Sequence, residues 1–287
     1  MTTGSTAGPT FSFKVWPRDI PWPELRDIWV AADAADAYQG GWLFDHFYPP
    51  RAGQRAAIFE AWTLLASLAA VTQRLRLGVM VSSNTFRHPS LLAKMAITVD
   101  HVSQGRLEIG LGAGWHAEEH EAFGLELPPA AERWERLAET CAILDGLLTQ
   151  RVFDFEGKHH RLEAAEAGLQ PVQQPRPPIV IGGVGQRRTL PLVAQWADHW
   201  NYYQKPISLD GFRAARERLH DLCAEIGRDP ADIKVSVQML YPDDSSQARE
   251  AAALYLGACA DHILMSFPTP VDPGSVDDCG RALASLR

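Results

Sequence analysis

The stretch from Arg76 to Trp115, RLGVMVSSNTFRHPSLLAKMAITVDHVSQGRLEIGLGAGW, constrains the fold more than any other part of this chain. Two apolar runs, Val79–Ser83 (VMVSS) and Leu107–Gly114 (LEIGLGAG), end in small or polar residues, and one amphipathic segment joins them. Apolar strands joined by a helix make a parallel βαβ unit covered on both sheet faces. Ligands of such units sit at the carboxyl ends of the strands. Both ends here are stripped of bulk, so a large flat molecule can approach the backbone.

The same rhythm runs along the chain. Strand-like segments at Phe11–Trp16, Gly41–Phe44, Leu75–Val81, Arg106–Leu111, Ile179–Ile181, His199–Tyr203, Ile233–Leu240 and His262–Ser266 alternate with helical ones. The helices are expected at Pro23–Tyr38, Glu60–Thr72, Ser90–Val102, Glu132–Leu148, Arg187–Ala197, Asp210–Ile226, Gln247–Leu256 and Ser275–Leu286, with Pro89 starting the third. Eight β/α repeats predict a closed (β/α)8 TIM barrel, with a doubly wound sheet as the rival. The rhythm breaks after the fourth helix. There FDFEGKHHRLE reads as a hairpin and QPVQQPRPP as a link, so an insertion is expected at about 151–177. A disordered tail over 1–10 and one barrel domain over 11–287 complete the organisation.

Length and charge agree with this class. A single domain of 287 residues buries roughly 75% of its unfolded surface and needs no covalent staples. The net charge of −8, without a dense basic run, argues against a nucleic-acid partner. Arg213, Arg216 and Arg218 alternate with Glu217, the pattern of a solvated helix face. The four cysteines are widely spaced with no CxxC, so reduced thiols and a cytoplasmic location are expected. MTTGSTAGPT has no signal-peptide character, and no apolar run reaches membrane-spanning length, so no membrane is involved.

Candidate site residues cluster at strand ends. GLGAGW (Gly110–Trp115) has Trp115 where a dinucleotide fingerprint needs its third glycine, and acidic residues follow it. The Rossmann reading therefore gives way to a backbone, through Gly112, Ala113 and Gly114, lying against a flat ring, or to a plain strand-end turn. IGGVGQRRT (Ile181–Thr189) offers Gly182, Gly183, Val184 and Gly185 ahead of a helix, a phosphate cradle or a tight turn, with Arg187 and Arg188 nearby. His46, beside Asp45 in WLFDHFYPP, stands at a strand end where acid–base work is possible. Asn84, Thr85 and Arg87 offer hydrogen bonds to a polar ring edge, and Glu60 and Trp62 border the same mouth. His116 and His120 have metal-ligand spacing, but HAEEH is not HExxH and marks no third ligand, so no metal is expected. The absence of a GxSxG elbow removes one hydrolase class.

Four strings in order, WLFDHFYPP, RLRLGVMVSSNTFRHPSLLAKMAITVDHVSQGRLEIGLGAGW, EEHEAFGLELPPAAERWERLAET and PPIVIGGVGQRRTLPLVAQWADHWN, resemble the bacterial-luciferase-like superfamily. They look most like its branch of oxidoreductases that use the deazaflavin coenzyme F420. The likeness covers residues 11–205 well and DHILMSFPTP loosely. It implies a (β/α)8 barrel with the deazaflavin at the strand C-termini, and a third-strand bulge behind the ring at Met80–Val81, often with a non-prolyl cis peptide. It also implies His46 near the reactive ring carbon, the loop Gly112–Trp115 beside the ring, a phosphate loop at Gly182–Gly185, and a homodimer. The chain departs from the pattern at Trp115, where sugar-phosphate dehydrogenases of this kind carry Glu. Their substrate chemistry is therefore not transferred.

The expected function is hydride transfer between F420 and a small organic substrate, with His46 handling the proton and Asp45 orienting the loop. An FMN-dependent monooxygenase on the same barrel is the alternative, and a non-catalytic flavin- or deazaflavin-binding protein is another. Trp42, Phe47, Trp115 and Tyr202 are expected to line an apolar pocket. Substrate specificity is assigned to loops near Tyr48–Arg55, Phe153–Gly168 and Tyr203–Pro206.

Overall fold

The computed structural model describes residues 8–49, 53–203 and 205–287. Most of the expected tail, and residues 50–52 and 204 of two loops given to specificity, lie outside the described residues. Thr10, placed in that tail, begins the first strand instead.

Eight parallel strands close into a barrel. In order around it they are β1 (Thr10–Val15), β2 (Gly40–Leu43), β3 (Arg76–Val79), continued by the two-residue β4 (Ser82–Ser83), β5 (Leu107–Gly112), β8 (Ile179–Gly182), β9 (His199–Tyr202), β10 (Lys234–Leu240) and β11 (His262–Phe267). The ring closes through β1 and β11, with Phe11 opposite Ile263 and Phe13 opposite Met265. Closure leaves no free edge and rules out the doubly wound sheet.

The outer layer comprises α1 (Trp22–Ala34), α2 (Ala61–Val71), α3 (Pro89–Val102), the short α4 (Ala117–Ala122), α5 (Ala130–Thr149), α6 (Thr189–Trp196), α7 (Leu209–Glu225), α8 (Ser245–Leu256) and α9 (Pro273–Ala284). Several helix starts are fixed by side-chain caps, Glu60 on α2, Ser208 on α7, Asp244 on α8 and Asp272 on α9. Strand residues buried on both faces meet apolar helix stripes, so Phe13, Trp29 and Tyr38 pack edge to face between barrel and helices.

Beyond α5 the chain leaves the barrel as an antiparallel hairpin, β6 (Phe153–Glu156) with β7 (Arg161–Ala165). Gly146 of α5 makes this docking possible, because a Cβ there would stand 2.2 Å from the Phe153 ring.

The third strand breaks in a way that matters for the site. Gly78 pairs with Glu108, but Ser82 pairs with Leu111, so four steps on one strand match three on its neighbour. The surplus residue is a bulge, and within it the Met80–Val81 peptide is cis. Three glycines accommodate it. A Cβ on Gly110 would lie 1.9 Å from the Val79 carbonyl oxygen, and one on Gly112 would lie 2.4 Å from the Val81 side chain. Gly182, on the far side of Val81, would come within 3.1 Å of it. Part of the glycine signature around GLGAGW therefore answers to the protein's own packing.

Candidate active site

A cavity of about 530 Å³ opens at the carboxyl ends of the strands. Its floor is the bulge, Met80 to Ser83, with Val81 seated between two strands that carry glycine where it touches them. Gly112, Ala113, Gly114 and Trp115 form one wall, and Gly182, Gly183 and Thr189 another. Lys14, Trp16, Phe44, Asp45 and His46 form the wall opposite the second glycine cluster.

His46 is held by a residue 73 positions away. Its Nδ1 lies 2.9 Å from Oε1 of Glu119 on α4, and Glu119 Oε2 accepts from the N–H groups of Phe47 (2.8 Å) and Tyr48 (3.2 Å). Burial raises the Glu119 pKa, but the His46 bond and these two N–H groups outweigh it and hold the carboxyl below its ordinary range. An ionised Glu119 makes Nδ1 the protonated ring nitrogen, which leaves Nε2 for the cavity. Phe44 and Trp115 pack edge-on against the imidazole, with centroids 5.6 and 5.7 Å away.

Asp45 does not share this role. It is buried, accepts from the Ser83 N–H at 2.9 Å, and takes both arms of Arg87 at 2.6 and 3.0 Å. Arg87 also bonds Glu60, whose carboxylate caps α2 through the N–H groups of Trp62 and Thr63. A bidentate ion pair with both carboxylate oxygens engaged fixes the loop after β2 to the end of the bulge. Asp45 is thus a positioning residue, which ties the loop after β2 to Ser83 and Arg87 and makes no hydrogen bond with His46.

Other expected contacts go to the protein itself. Thr85 bonds His120 at 2.6 Å and Ser83 at 2.8 Å, and Trp62 Nε1 donates to Ser82 at 3.0 Å. Asn84, Val184 and Gly185 lie outside the cavity lining. Trp42 is buried inside the barrel with Met80, Val180 and Leu264, Phe47 stacks on Phe86 at 4.4 Å, and Tyr202 is buried. Of the four aromatics expected to line the pocket only Trp115 does, 58% exposed and stacked on His116 at 4.9 Å. His116 bonds the Pro49 carbonyl and His120 bonds Thr85, so the pair does not converge on one point.

The structure adds residues to the lining, of which the sequence reading touches only Thr189 and the loop of Tyr203 and Lys205. Trp16, Trp134, Thr189, Asn201, Tyr203, Lys205 and Gln238 reach the cavity from six different segments. Lys14 is the most unusual. It is buried, and among the described residues its Nζ finds only the Met80 carbonyl oxygen at 3.4 Å. Burial, and then the positive charge of Lys205, push its ammonium down to about 7. Only the alternation of FSFKV, with a lysine between apolar neighbours, hinted at it.

The glycine-rich turn after β8 has the makings of an anion cradle. Gly183 sits at φ 115°, open only to glycine at no cost. The N–H groups of Val184, Gly185, Gln186 and Arg187 make no backbone hydrogen bond before α6 begins.

Comparison with known proteins settles the family, because the model of the luciferase-like monooxygenases matches residues 3–273. The chain belongs to the luciferase-like monooxygenase family. This luciferase-like protein is 30% identical over 207 residues to a pyrimidine monooxygenase, RutA, of Stutzerimonas stutzeri, covering 70% of this chain and 55% of that one. It is 31% identical over 170 residues to an uncharacterized protein of Mycobacterium tuberculosis, covering 59% of this chain and 58% of the other. The luciferase-like chain thus spans little more than half the length of these curated relatives. Among solved structures, an F420-dependent secondary alcohol dehydrogenase in complex with an F420–acetone adduct superposes with a TM-score of 0.85. That match covers 98% of this chain and 100% of the other at 14% identity. A coenzyme F420-dependent tetrahydromethanopterin reductase of Methanopyrus kandleri gives 0.80 at 15% identity, covering 97% and 99%. At such identities the likeness is one of fold. Among the described residues no helix is long and apolar enough to cross a membrane.

Proposed function

We propose that this luciferase-like oxidoreductase transfers a hydride between coenzyme F420 and a small organic substrate. The observation that carries the reading is the His46–Glu119 pair, set in a cavity whose floor is the Met80–Val81 bulge and whose far wall is the glycine turn. The cavity suits a flat ring bearing a phosphorylated chain. The Val81 platform between Gly112 and Gly182 supplies an apolar face, and the free N–H groups ahead of α6 supply the anion site. When bound, F420 supplies the carbon that gives or takes the hydride.

The chain's own residues do the rest. Met80, Val81, Gly112, Ala113, Gly114 and Trp115 bracket the ring, while Gly182, Gly183 and the Thr189 hydroxyl meet the phosphate. His46 Nε2 gives or takes the accompanying proton at the substrate. Glu119 holds the ring orientation and favours the imidazolium when the proton resides there. Asp45 and Arg87 keep that loop in register with the bulge. The free cysteines suit a cytoplasmic enzyme, and the resemblance suggests a homodimer.

FMN-dependent oxygenation is the second reading, favoured by the 30% identity to a pyrimidine monooxygenase. Titration of the purified protein with F420 and with FMN separates the two, since Trp16, Trp115 and Trp134 line the cavity and report on it by fluorescence. Micromolar F420 binding with weaker FMN binding is expected. A clear preference for FMN overturns the deazaflavin reading.

A further inference from the structure

Lys14 has no part in the proton route through His46, yet it faces the same cavity. It is 5% exposed, and among the described residues a single long contact to the Met80 carbonyl oxygen is its hydrogen bonding. Among the described residues no carboxylate pairs with it. Of the two carboxylates in the lining, Asp45 gives both oxygens to Arg87, and Glu119 gives its pair to His46 and two backbone N–H groups. The remaining titratable groups facing the cavity are His46, Tyr203 and Lys205. Lys205 brings a second cation to the same space.

Position in the barrel separates this amine from the phosphate cradle. Between β1 and β8 lie β2, β3 and β5 on one side and β11, β10 and β9 on the other. Lys14 on β1 and the glycine turn after β8 therefore stand on opposite walls. Lys14 shares its wall with His46, where the reacting part of a substrate belongs. The neighbouring lining is aromatic, from Trp16 and Phe44.

We infer that Lys14, assisted by Lys205, is the anion-receiving element of the substrate subsite, and that the substrate carries a carboxylate on an apolar, flat body. This rests on the cavity being the active site, and not on which cofactor fills it. A buried amine with no counter-ion is costly to keep charged, and a docked carboxylate removes that cost by pairing with it. The pairing also returns the amine to its protonated form. Because Lys14 is held at about 7 in the free protein, carboxylate binding at higher pH takes up a proton. Neutral ligands have no such effect.

Isothermal titration calorimetry of the full chain with benzoate and with benzamide tests this, at about pH 8 in triethanolamine and in Tris, whose ionisation enthalpies differ and whose buffering species are not anions. Wild-type protein is expected to bind benzoate at least ~10-fold more tightly than benzamide, with uptake approaching one proton. Lys14→Met should bring benzoate down to the benzamide level and abolish the uptake, leaving benzamide unchanged. Lys205→Met, on a surface loop, should weaken benzoate about threefold to tenfold and keep most of the uptake. Equal binding of the two ligands by wild type, or a charge preference that survives Lys14→Met, overturns the inference. Should Lys14→Met not fold, an unchanged preference in Lys205→Met together with no proton uptake in wild type does the same. No cofactor enters this assay, so a failed F420 titration would sink the cofactor reading while leaving the charge preference to stand or fall alone.

Discussion

Replacing Lys14 by Met gives the sharpest test of the electrostatics at the barrel mouth. The ordinary lysine value is 10.5, and burial with the nearby Lys205 lowers it to about 7 in the folded protein. Between these values the unfolded chain binds the Lys14 proton and the folded chain does not. The penalty is therefore complete below pH 7 and is relieved as pH rises toward 10.5. A shift of this size corresponds to roughly 4–5 kcal/mol against the fold near neutrality, of which about 2 kcal/mol is relieved between pH 7 and pH 9. Met has nearly the same length and no charge, so Lys14→Met should stabilise the protein near neutrality, and by less at higher pH. Urea unfolding followed by tryptophan fluorescence at pH 7 and pH 9 measures both terms, and the wild-type-minus-variant difference cancels the groups that do not interact with Lys14. A difference that is the same at the two pH values, or a variant less stable than wild type at pH 7, refutes the account of a desolvated, unpaired amine.

Glu119→Gln should lower turnover by about 10- to 100-fold, because an amide cannot stabilise the imidazolium, while cofactor affinity stays within ~3-fold. Equal losses in both would return His46 to a packing role. Arg87→Met strands the buried Asp45 carboxylate and should cost about 3–5 kcal/mol in urea unfolding; a loss under ~1 kcal/mol would mean the pair is not holding the loop. Gly110→Ala drives a methyl group onto the Val79 carbonyl, where only backbone can give way, so about 3 kcal/mol of lost stability or loss of soluble protein is expected. Wild-type thermal stability in that variant would show that the bulge is not locked against β5.

The residues differ in how far their surroundings could be read from the chain. His46, Trp115 and the glycine turns were legible because the strand-to-loop boundary is local, and a closed barrel puts every such boundary at one mouth. Glu119 was not. Its neighbours, HAEEHEAFG, gave the look of an exposed acidic helix, and only the approach of α4 to the loop after β2 makes it the partner of His46. Tyr202 turns outward to the helix layer and packs on Phe212 of α7, and the wrong environment for Trp42 also has a long-range origin. Period-two alternation says that a strand side chain points in or out of the sheet, but the height at which it enters the barrel depends on stagger between strands. Trp42 points inward too low to meet the cavity.

The sequence by itself determined the number and order of the repeats, the excursion after α5 and the strand ends that line the cavity. These follow from apolar runs, helix caps and glycine placement, all of which act over a few residues. Tertiary structure alone decided that Gly110, Gly112 and Gly182 serve the bulge as well as any ligand, that Asp45 belongs to Arg87 and Glu119 to His46, and that Lys14 is buried without a counter-charge among the described residues. Each of those outcomes depends on groups far apart in the chain and a few ångströms apart in space, where desolvation and close packing set the energies and no local pattern records them.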